Sequence, residues 1–233
     1  MDIIKKYSAD SLRLFLISQA SSESDFNWSD KGIQSSFKLI NKMVEYFDEV
    51  KIGKSSAIVE SKMNKAIIEI TRDIESLKYN LAIIKLRQLF EKLEQEISKK
   101  DVESFLKLLN PFCPHITEEL WEKLGSKGFV SLADWPIADE SKINKNLERQ
   151  EELNNKLITD INNILKIIRD KGNTPKKIYI YCIPPELITY NKEDIRNKIN
   201  LDIEVFATND KDKHDPSGIS KKAKPGKPGI FVE

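Results

Sequence analysis

Apolar residues recur at steps of three and four through the first 125 positions, and this feature restricts the fold of the chain most. Such steps keep side chains on one face of a helix, so each segment predicts an amphipathic helix whose apolar face needs a partner. Three consecutive helices of about twenty residues, with polar joints at residues 53–56 and near Lys78, predict an antiparallel helical bundle. The three stripes are Ile33, Phe37, Ile40, Val44 and Phe47; Met63, Ile67, Ile70, Ile74 and Leu77; and Leu86, Phe90, Leu93 and Ile97.

Shorter helices are expected on both sides of these three segments. Residues 8–20 form one, followed by a polar loop at 21–29. Residues 101–109 and 115–124 form two more, separated by a break that contains Pro111 and Pro114, because proline ends one helix and starts another in its first turn. Gly125 and Gly128 then end the last of them, and residues 126–145 form a looser connection.

The composition changes near residue 145, where we place a domain boundary. A long helix is expected over 147–171, with Leu153, Leu157, Ile161, Ile164 and Ile168 on one face. Two strands and a short helix follow, and a polar segment leads to a final short strand. Their expected ranges are 177–182 and 201–207 for the strands, 191–199 for the helix, 209–229 for the polar segment and 230–233 for the last strand. The fold class is therefore mainly α, a bundle followed by a small α+β domain.

Composition limits the classes of function. With 38 basic and 37 acidic residues the net charge is +1, so any nucleic-acid surface requires local clustering of basic side chains. Cys113 and Cys182 give no disulfide framework, and free thiols fit a reducing cytosol. No apolar run is long enough to span a membrane, and the N-terminus lacks the apolar core of a signal peptide. A soluble, cytoplasmic protein is expected.

No catalytic or metal-binding residue is predicted. His115 follows Cys113 by two positions, but a metal site needs three or four ligands and the chain has only one other histidine. A helix-start residue in a packed turn is the favoured interpretation. The segments 114–117 and 61–65 faintly resemble the HIGH and KMSKS motifs of class I synthetases, yet the first lacks glycine and a second histidine, while Met63 in the second belongs to an apolar stripe. No glycine-rich phosphate loop is present, so no cofactor is expected in this chain.

Two groups of lysines are candidates for contacts with RNA. Lys78, Lys85, Lys92 and Lys99 are spaced by seven, which would place them on one helix face, although a solvated face paired through Glu96 is the favoured alternative. The second group lies in the tail, where residues 216–232 contain no acidic side chain. There, RNA contact and a disordered tail are equally compatible with the composition. The tail group is Lys221, Lys222, Lys224 and Lys227, with the ring of Phe231 close behind.

Tryptophans are further candidates, because Trp28, Trp121 and Trp135 could stack on bases. Each of them lies beside a helix or at a helix packing position. Packing in the core or at a joint is therefore the favoured interpretation.

Several motifs together resemble class Ia aminoacyl-tRNA synthetases. Residues 7–16, YSADSLRLFL, resemble the Y-G-A-D-A-x-R helix that follows the KMSKS loop, with Ser8 in the place of glycine. Residues 109–121, LNPFCPHITEELW, resemble the L-x-P-F-A-P-H-x-x-E-E-L-W signature of the anticodon-binding bundle, with Cys113 in the place of alanine. Further matches are Asp25–Trp28 to D-x-x-W, Tyr79–Ile83 to F-N-x-A-I, and Asp134–Pro136.

The ending of the chain narrows the resemblance to leucyl-tRNA synthetases of the archaeal and eukaryotic-cytosolic type. The segments 174–181, 215–218 and 224–233 are similar to the ending of the archaeal enzymes. The resemblance implies a linker helix like the stem-contact region at 1–29, an anticodon-binding-type bundle at 30–145 and a tRNA-binding domain with a basic tail at 146–233. Members often carry a larger helical insertion between the two strands than residues 183–200 provide.

The resemblance also implies a function. The chain would be the tRNA-binding part of an ATP-dependent leucine–tRNA ligase, and the catalytic domain, with its ATP and Mg²⁺, and the editing domain would lie elsewhere, in the same chain or in a separate subunit. Val232 and Glu233 would touch the long variable arm of tRNA-Leu, with the tail lysines nearby. Two alternatives stay open: the C-terminal part of a valyl, isoleucyl or methionyl enzyme, and a free-standing helical module that binds RNA or protein.

Overall fold

The computed structural model describes residues 2–19 and 27–233 and divides the chain into two compact units, 1–144 and 145–233. Asp25 and Phe26 of the predicted D-x-x-W motif lie outside the described residues. In the part that is described, no helix combines the length and the apolar composition needed to cross a bilayer.

Unit 1 (residues 1–144) is a helical bundle, as the apolar periodicity predicts. Its helices are α1 (Asp2–Tyr7), α2 (Ala9–Gln19), α3 (Asp30–Glu49), α4 (Ala57–Glu75), α5 (Tyr79–Phe90), α6 (Lys99–Leu109) and α7 (Pro114–Lys123). Helix α4 packs on α5 and α6, while α2 packs on α3 and α5. Ser29, Ser56 and Ser98 start α3, α4 and α6 by accepting a hydrogen bond from a backbone amide of the first turn.

The prediction of a third helix reaching Ile97 is wrong, because α5 ends at Phe90. The chain instead forms a short parallel strand pair, β1 (Lys51–Ile52) with β2 (Glu96–Ile97). Ile97 is fully buried there, so the apolar spacing is satisfied by burial in the bundle core without a helix. The Tyr46 hydroxyl donates to the carbonyl of Glu94 at 2.7 Å and ties this segment to α3.

The connection after α7 follows the surface of the bundle through two short 3₁₀ turns, Val130–Leu132 and Glu140–Lys142. Gly125 and Gly128 both have a positive φ, which agrees with their expected role in ending α7. The Glu118 carboxylate accepts from the amides of Val130 and Ser131, at 2.8 and 3.0 Å. Desolvation alone would raise the pKa of Glu118, but the pKa is lowered by hydrogen bonding, first with the Ser131 side chain and then with these two amides. The connection is thus held by side chains of the helices.

Ser8 has φ 74°, in the left-handed region, at the position where the resembled motif has glycine. A non-glycine residue pays about 1–2 kcal/mol in this region. The Ser8 hydroxyl accepts from the amide of Ser11 at 3.2 Å and so caps α2. Replacing a serine cap by glycine costs only a few tenths of a kcal/mol, whereas replacing it by alanine costs about 1 kcal/mol.

We therefore expect Ser8→Gly to raise the free energy of unfolding of unit 1 by about 1 kcal/mol, because relief of backbone strain exceeds the loss of the cap. Ser8→Ala keeps the strain and loses the cap, so it should lower stability. Urea unfolding followed by tryptophan emission reports on unit 1 alone, since the three tryptophans, Trp28, Trp121 and Trp135, all precede residue 145. Changes of the same sign in both variants would contradict the strain argument.

Unit 2 (residues 145–233) is a small α+β fold. Its elements are α8 (Lys145–Asp170), β3 (Lys177–Cys182), α9 (Lys192–Ile199), β4 (Asp202–Ala207) and β5 (Gly229–Val232). The sheet order is β4-β3-β5, with β3 parallel to β4 and antiparallel to β5. Helix α9 connects the two parallel strands, as a parallel pair requires a crossover. Both units agree with the predicted fold class.

The face of α8 that enters the core of unit 2 differs slightly from the predicted stripe. Leu157, Ile161 and Leu165 are buried, whereas Ile164 and Ile168 are only half-buried. The buried set follows the steps of four along the helix, and it packs against the even-numbered side chains of β3 together with residues of α9 and β4. The opposite face of the sheet carries the odd-numbered side chains of β3, which matters for the site below.

Candidate nucleic-acid interface

The two strongest motifs of the sequence meet in unit 1. Asp10 of α2 is buried, and its carboxylate accepts from the amide of Ile116 at 2.8 Å and lies 2.8 Å from Nδ1 of His115. Both partners lie in the first turn of α7. A carboxylate at this position satisfies an amide that has no helical partner and complements the positive end of the helix dipole. The favoured interpretation of His115 as a helix-start residue in a packed turn is therefore confirmed.

Arg13 strengthens the same junction from the next turn of α2. Its guanidinium donates from Nε and Nη2 to the carbonyl of Pro111, at 3.1 and 2.9 Å. The amide side chain of Asn110 donates to the hydroxyl of Thr117 at 2.8 Å across the proline break. Cys113 in this break is buried, and burial raises the pKa of its thiol far above the usual range. The motif residues thus hold the bundle together, and their chemistry here is structural.

The predicted lysine stripe on one helix face is wrong. Lys85 lies in α5, but Lys78 precedes that helix, Lys92 follows its end and Lys99 begins α6. Heptad spacing places residues on one face only if the helix continues through them, and the chain turns after Phe90. Glu96 is part of β2 and accepts from the backbone amide of Lys54 at 3.1 Å, so the helical spacing on which its expected pairing with Lys92 or Lys100 was based is not present.

Lys85 and Lys99 are held by structural partners. Lys85 Nζ lies 2.5 Å from the buried carboxylate of Asp73, and Glu69 is 4.0 Å away. Lys99 Nζ donates to the carbonyls of Leu124 and Gly125, at 3.1 and 3.4 Å, where a cation complements the negative end of α7. These contacts favour the interpretation of the four lysines as parts of a solvated and paired surface.

The tryptophans also have partners inside unit 1. Trp121 is buried in the main core. Trp28 meets the ring of Phe15 edge-on, with centroids 5.1 Å apart. The indole of Trp135 donates to the hydroxyl of Thr71 at 2.8 Å. The prediction of core packing is confirmed for Trp121, whereas Trp28 and Trp135 make contacts at joints and remain 46% and 37% exposed.

The basic tail of unit 2 is folded onto the sheet. Asp215 accepts from the amides of Ile219 and Ser220, at 2.7 and 3.2 Å, and so starts the 3₁₀ turn Ile219–Lys222. Hydrogen bonding, above all to the Ser220 side chain, holds the pKa of Asp215 below its usual value. Lys221 and Lys222 are exposed on this turn. The alternative of a disordered tail is therefore not what the structure shows.

A tight turn presents the other two lysines. The amide of Lys224 donates to the carbonyl of Lys227 at 3.0 Å, and the reverse bond is 2.8 Å long. Between them the amide of Gly226 donates to Glu186 at 2.8 Å. Lys224 and Lys227 are both exposed. The two backbone bonds fix the backbones of the two lysines next to each other.

The tail glycines serve the fold of unit 2. A Cβ on Gly229 would lie 2.8 Å from the carbonyl oxygen of Ile219, so this position needs glycine for an intramolecular approach. Gly218 and Gly226 have φ values of 63° and 68°, which glycine adopts without strain.

The last three residues lie along β3. Phe231 pairs with Tyr179, Val232 pairs with Ile178, and the Val232 side chain packs against the core. The backbone carbonyl of Glu233 accepts from the amides of Lys176 and Lys177, whereas its side chain accepts from the Tyr179 hydroxyl at 3.2 Å. Only the side chains of Phe231 and Glu233 are therefore directed away from the core.

Sequence reasoning missed an aromatic group on this face of the sheet, which we call the ring face: Tyr179, Phe206, His214 and Phe231. Centroids of Tyr179 lie 6.5 Å from Phe206, 4.7 Å from His214 and 5.9 Å from Phe231. Alternation in Lys177–Cys182 could have placed Tyr179 there, but no pattern marks His214, which arrives on a loop.

The loop is fixed by a second tyrosine. The Tyr181 hydroxyl donates to the carbonyl of His214, and burial, with a smaller contribution from Asp215, raises the pKa of Tyr181 to about 12. The hydroxyl therefore remains protonated as a donor at neutral pH. The imidazole of His214 is held over Tyr179 and stays exposed.

A family model and the curated relatives both relate this chain to tRNA ligases. Residues 57–180 match the family described as the anticodon-binding domain of tRNA ligase. The leucine–tRNA ligase of Rickettsia bellii is 37% identical over 153 residues, which cover 60% of this chain and 18% of that protein. The leucine–tRNA ligase of Pyrococcus abyssi is 32% identical over 208 residues, which cover 79% of this chain and 21% of that protein.

The chain therefore spans about a fifth of the length of these curated relatives. Among solved structures, the ternary complex of Agrobacterium radiobacter K84 agnB2 LeuRS-tRNA-LeuAMS is similar, with a TM-score of 0.49 and 22% sequence identity. That similarity covers 61% of this chain and 22% of the other.

Proposed function

Because the chain belongs to the family of anticodon-binding domains of tRNA ligases, we propose that it is the tRNA-binding part of a leucine–tRNA ligase. The observation that carries this proposal is the match over 57–180, joined to relatives that are leucine–tRNA ligases. In this proposal unit 1 (residues 1–144) holds the body of the tRNA, and unit 2 (residues 145–233) recognises the long variable arm. The enzyme works in the cytoplasm.

The ATP-dependent leucylation belongs to the catalytic domain, which would bind ATP and Mg²⁺ outside this chain. The catalytic and editing domains are the protein partners, in the same chain or as a separate subunit. The length of the relatives supports this division, because this chain matches only about a fifth of them. The archaeal and eukaryotic-cytosolic type is supported by the ending of the chain, residues 224–233.

Recognition of the variable arm is proposed for the tail of unit 2. All four tail lysines are exposed and supply attraction to phosphates: Lys221, Lys222, Lys224 and Lys227. The Glu233 carboxylate is exposed beside the Phe231 ring and can accept from a base amino group. Lys85 and Lys92 of unit 1 remain candidates for contact with the tRNA body, although the ion pair of Lys85 with Asp73 reduces the charge that it can offer.

We expect the 233-residue chain to bind a tRNA-Leu transcript roughly tenfold or more tightly than the same transcript without its long variable arm, since each base contact contributes about 1–3 kcal/mol. Fluorescence anisotropy at one fixed salt concentration measures both affinities. A transcript with a changed anticodon is the matched control and should bind like the unchanged one.

Either alternative gives a different result. Loss of binding on changing the anticodon would favour the C-terminal part of a valyl, isoleucyl or methionyl enzyme. Equal binding of the transcripts with and without the arm would favour a helical module that binds RNA or protein without specificity for tRNA-Leu.

A further inference from the structure

The turn that carries Lys224 and Lys227 is attached to unit 2 by a carboxylate from another part of the chain. Glu186 ends the 3₁₀ turn that follows β3, and its Oε1 accepts from the amide of Gly226 at 2.8 Å. Gly226 lies between the two lysines, whose backbones are joined by bonds of 2.8 and 3.0 Å. The bond to Glu186 therefore connects the whole turn directly to the segment at the carboxyl end of β3.

Helix α8 belongs to the same arrangement. A Cβ placed on Gly226 would lie 3.5 Å from Cδ2 of Leu153, so the backbone of the turn packs against this helix. The side chain of Asn154 donates to the carbonyl of Thr189 at 2.8 Å, which ties α8 to the segment that follows Glu186. The turn is thus held between that segment and α8.

The Glu186 carboxylate occupies a position that is costly for a charged group. Its Oε2 is buried and has no hydrogen-bond partner among the described residues, and the same is true of the Tyr190 hydroxyl. Burial, and after it the negative charge of Glu186, raises the pKa of Tyr190 to about 12 and that of Cys182 to about 11. A buried carboxylate oxygen without a partner is unfavourable for stability, which points to a role of Glu186 beyond stability.

This arrangement leaves both lysines of the turn available to a ligand. Because Glu186 binds the backbone of the turn, the side chains of Lys224 and Lys227 are free to extend into solvent, where both are exposed. Two cations on a fixed turn contact phosphates with less loss of conformational freedom than two cations on a mobile segment. An acidic residue can therefore strengthen the binding of a polyanion through the position that it gives to the lysines.

We propose that Glu186 is a positioning residue for RNA binding, which holds the turn so that Lys224 and Lys227 meet phosphates of the RNA backbone. The inference rests on the proposed tRNA-binding function and adds to it an acidic residue outside the basic tail. Its expected effect is opposite in sign to that of charge alone. Loss of the Glu186 charge by itself would strengthen RNA binding, whereas loss of the bond to Gly226 weakens it.

The test is an anisotropy titration of the tRNA-Leu transcript with the 233-residue chain at several salt concentrations. Glu186→Ala removes the acceptor, so we expect roughly 10-fold weaker binding at 0.1 M salt and a slope of log K against log salt concentration that is smaller by about 1–2, since each phosphate contact adds about 0.9. Glu186→Gln removes the same charge but keeps an oxygen that can accept from Gly226, and it should bind at least as tightly as the unchanged chain. Asp160→Ala, at an exposed position of α8, is the matched control for charge and should not weaken binding.

Two further variants separate positioning from packing. Glu186→Asp retains the charge but is shorter by one methylene, so its acceptor no longer reaches Gly226 and binding should weaken as in Glu186→Ala. Tyr190→Phe changes the same buried region and leaves the bond to Gly226 in place, so binding should be unaltered. Unweakened binding by Glu186→Ala and Glu186→Asp, or an equal loss in Glu186→Gln or in Tyr190→Phe, would overturn the proposal.

These outcomes also separate the inference from the proposed function. Discrimination of tRNA-Leu by its variable arm with unweakened binding by Glu186→Ala would remove the positioning role and keep the function. A loss in Glu186→Ala that Glu186→Gln does not share, in a chain that binds transcripts with and without the arm equally, would keep the positioning role and remove the leucine-specific assignment. No binding of any transcript by the unchanged chain would overturn both.

Discussion

Asp10→Ala is expected to lower the free energy of unfolding of unit 1 by about 3 kcal/mol. The buried carboxylate of Asp10 accepts from Ile116 and contacts His115, and hydrogen bonds to charged groups contribute about 1.5–3 kcal/mol each. Its loss also leaves the Ile116 amide without a partner at the start of α7, where a negative charge contributes about 0.3–1 kcal/mol through the helix dipole. Urea unfolding followed by tryptophan emission measures the change.

His115→Ala is the matched control for this prediction. The His115 side chain is 76% exposed, so its bond to Asp10 competes with water and its removal should cost less than about 1 kcal/mol. Asp10→Asn retains one acceptor oxygen and should fall between the two. Equal costs for Asp10→Ala and His115→Ala would mean that the carboxylate does not support α7 in the way that its geometry indicates.

The Asp10 junction also shows what the sequence could establish. The motifs around Asp10 and His115 are 105 residues apart, and their resemblance to a family could be recognised without any structure. Local spacing could not show that they meet, because contact between distant segments depends on the packing of the whole bundle. The sequence did favour a structural role for His115, since too few further ligands were available for a metal site.

Apolar periodicity predicted the helices of unit 1 correctly, but it failed after Phe90, where α5 ends. The spacing of Leu93 and Ile97 fits a helix, but Ile97 is buried through a strand pair with Ile52. Apolar residues four positions apart are favourable to bury, and a helix is not the only backbone conformation that can bury them. The lysine stripe failed for the same reason, because it assumed that α5 continued past Phe90.

In unit 2 the strands could be predicted from β-branched and aromatic residues, but the use of their outer face could not. Tyr179 and Phe231 become neighbours through the register of β3 with β5, and His214 joins them through a loop of no regular pattern. The tail lysines could be identified from composition alone. Their arrangement depends on Asp215 and on the turn between Lys224 and Lys227, which are tertiary features.

Replacing all four tail lysines, Lys221, Lys222, Lys224 and Lys227, by glutamine should weaken binding of tRNA-Leu by on the order of 10³-fold at 0.1 M salt. Each lysine that neutralises one phosphate adds about 0.9 to the slope of log K against log salt concentration. Four such contacts should therefore account for a slope of about 3–4, which disappears in the variant. Anisotropy titrations at several salt concentrations measure the affinity and the slope together.

The matched control replaces four exposed lysines elsewhere in unit 2, Lys166, Lys171, Lys192 and Lys198, by glutamine. Both variants lower the formal net charge of +1 by four, so they differ only in where the charge is lost. If the tail positions its ammonium groups along the RNA backbone, only the tail variant loses the steep salt dependence. An equal loss in both variants would mean that unit 2 attracts RNA through its total charge, and the folded arrangement of the tail would then have no part in recognition.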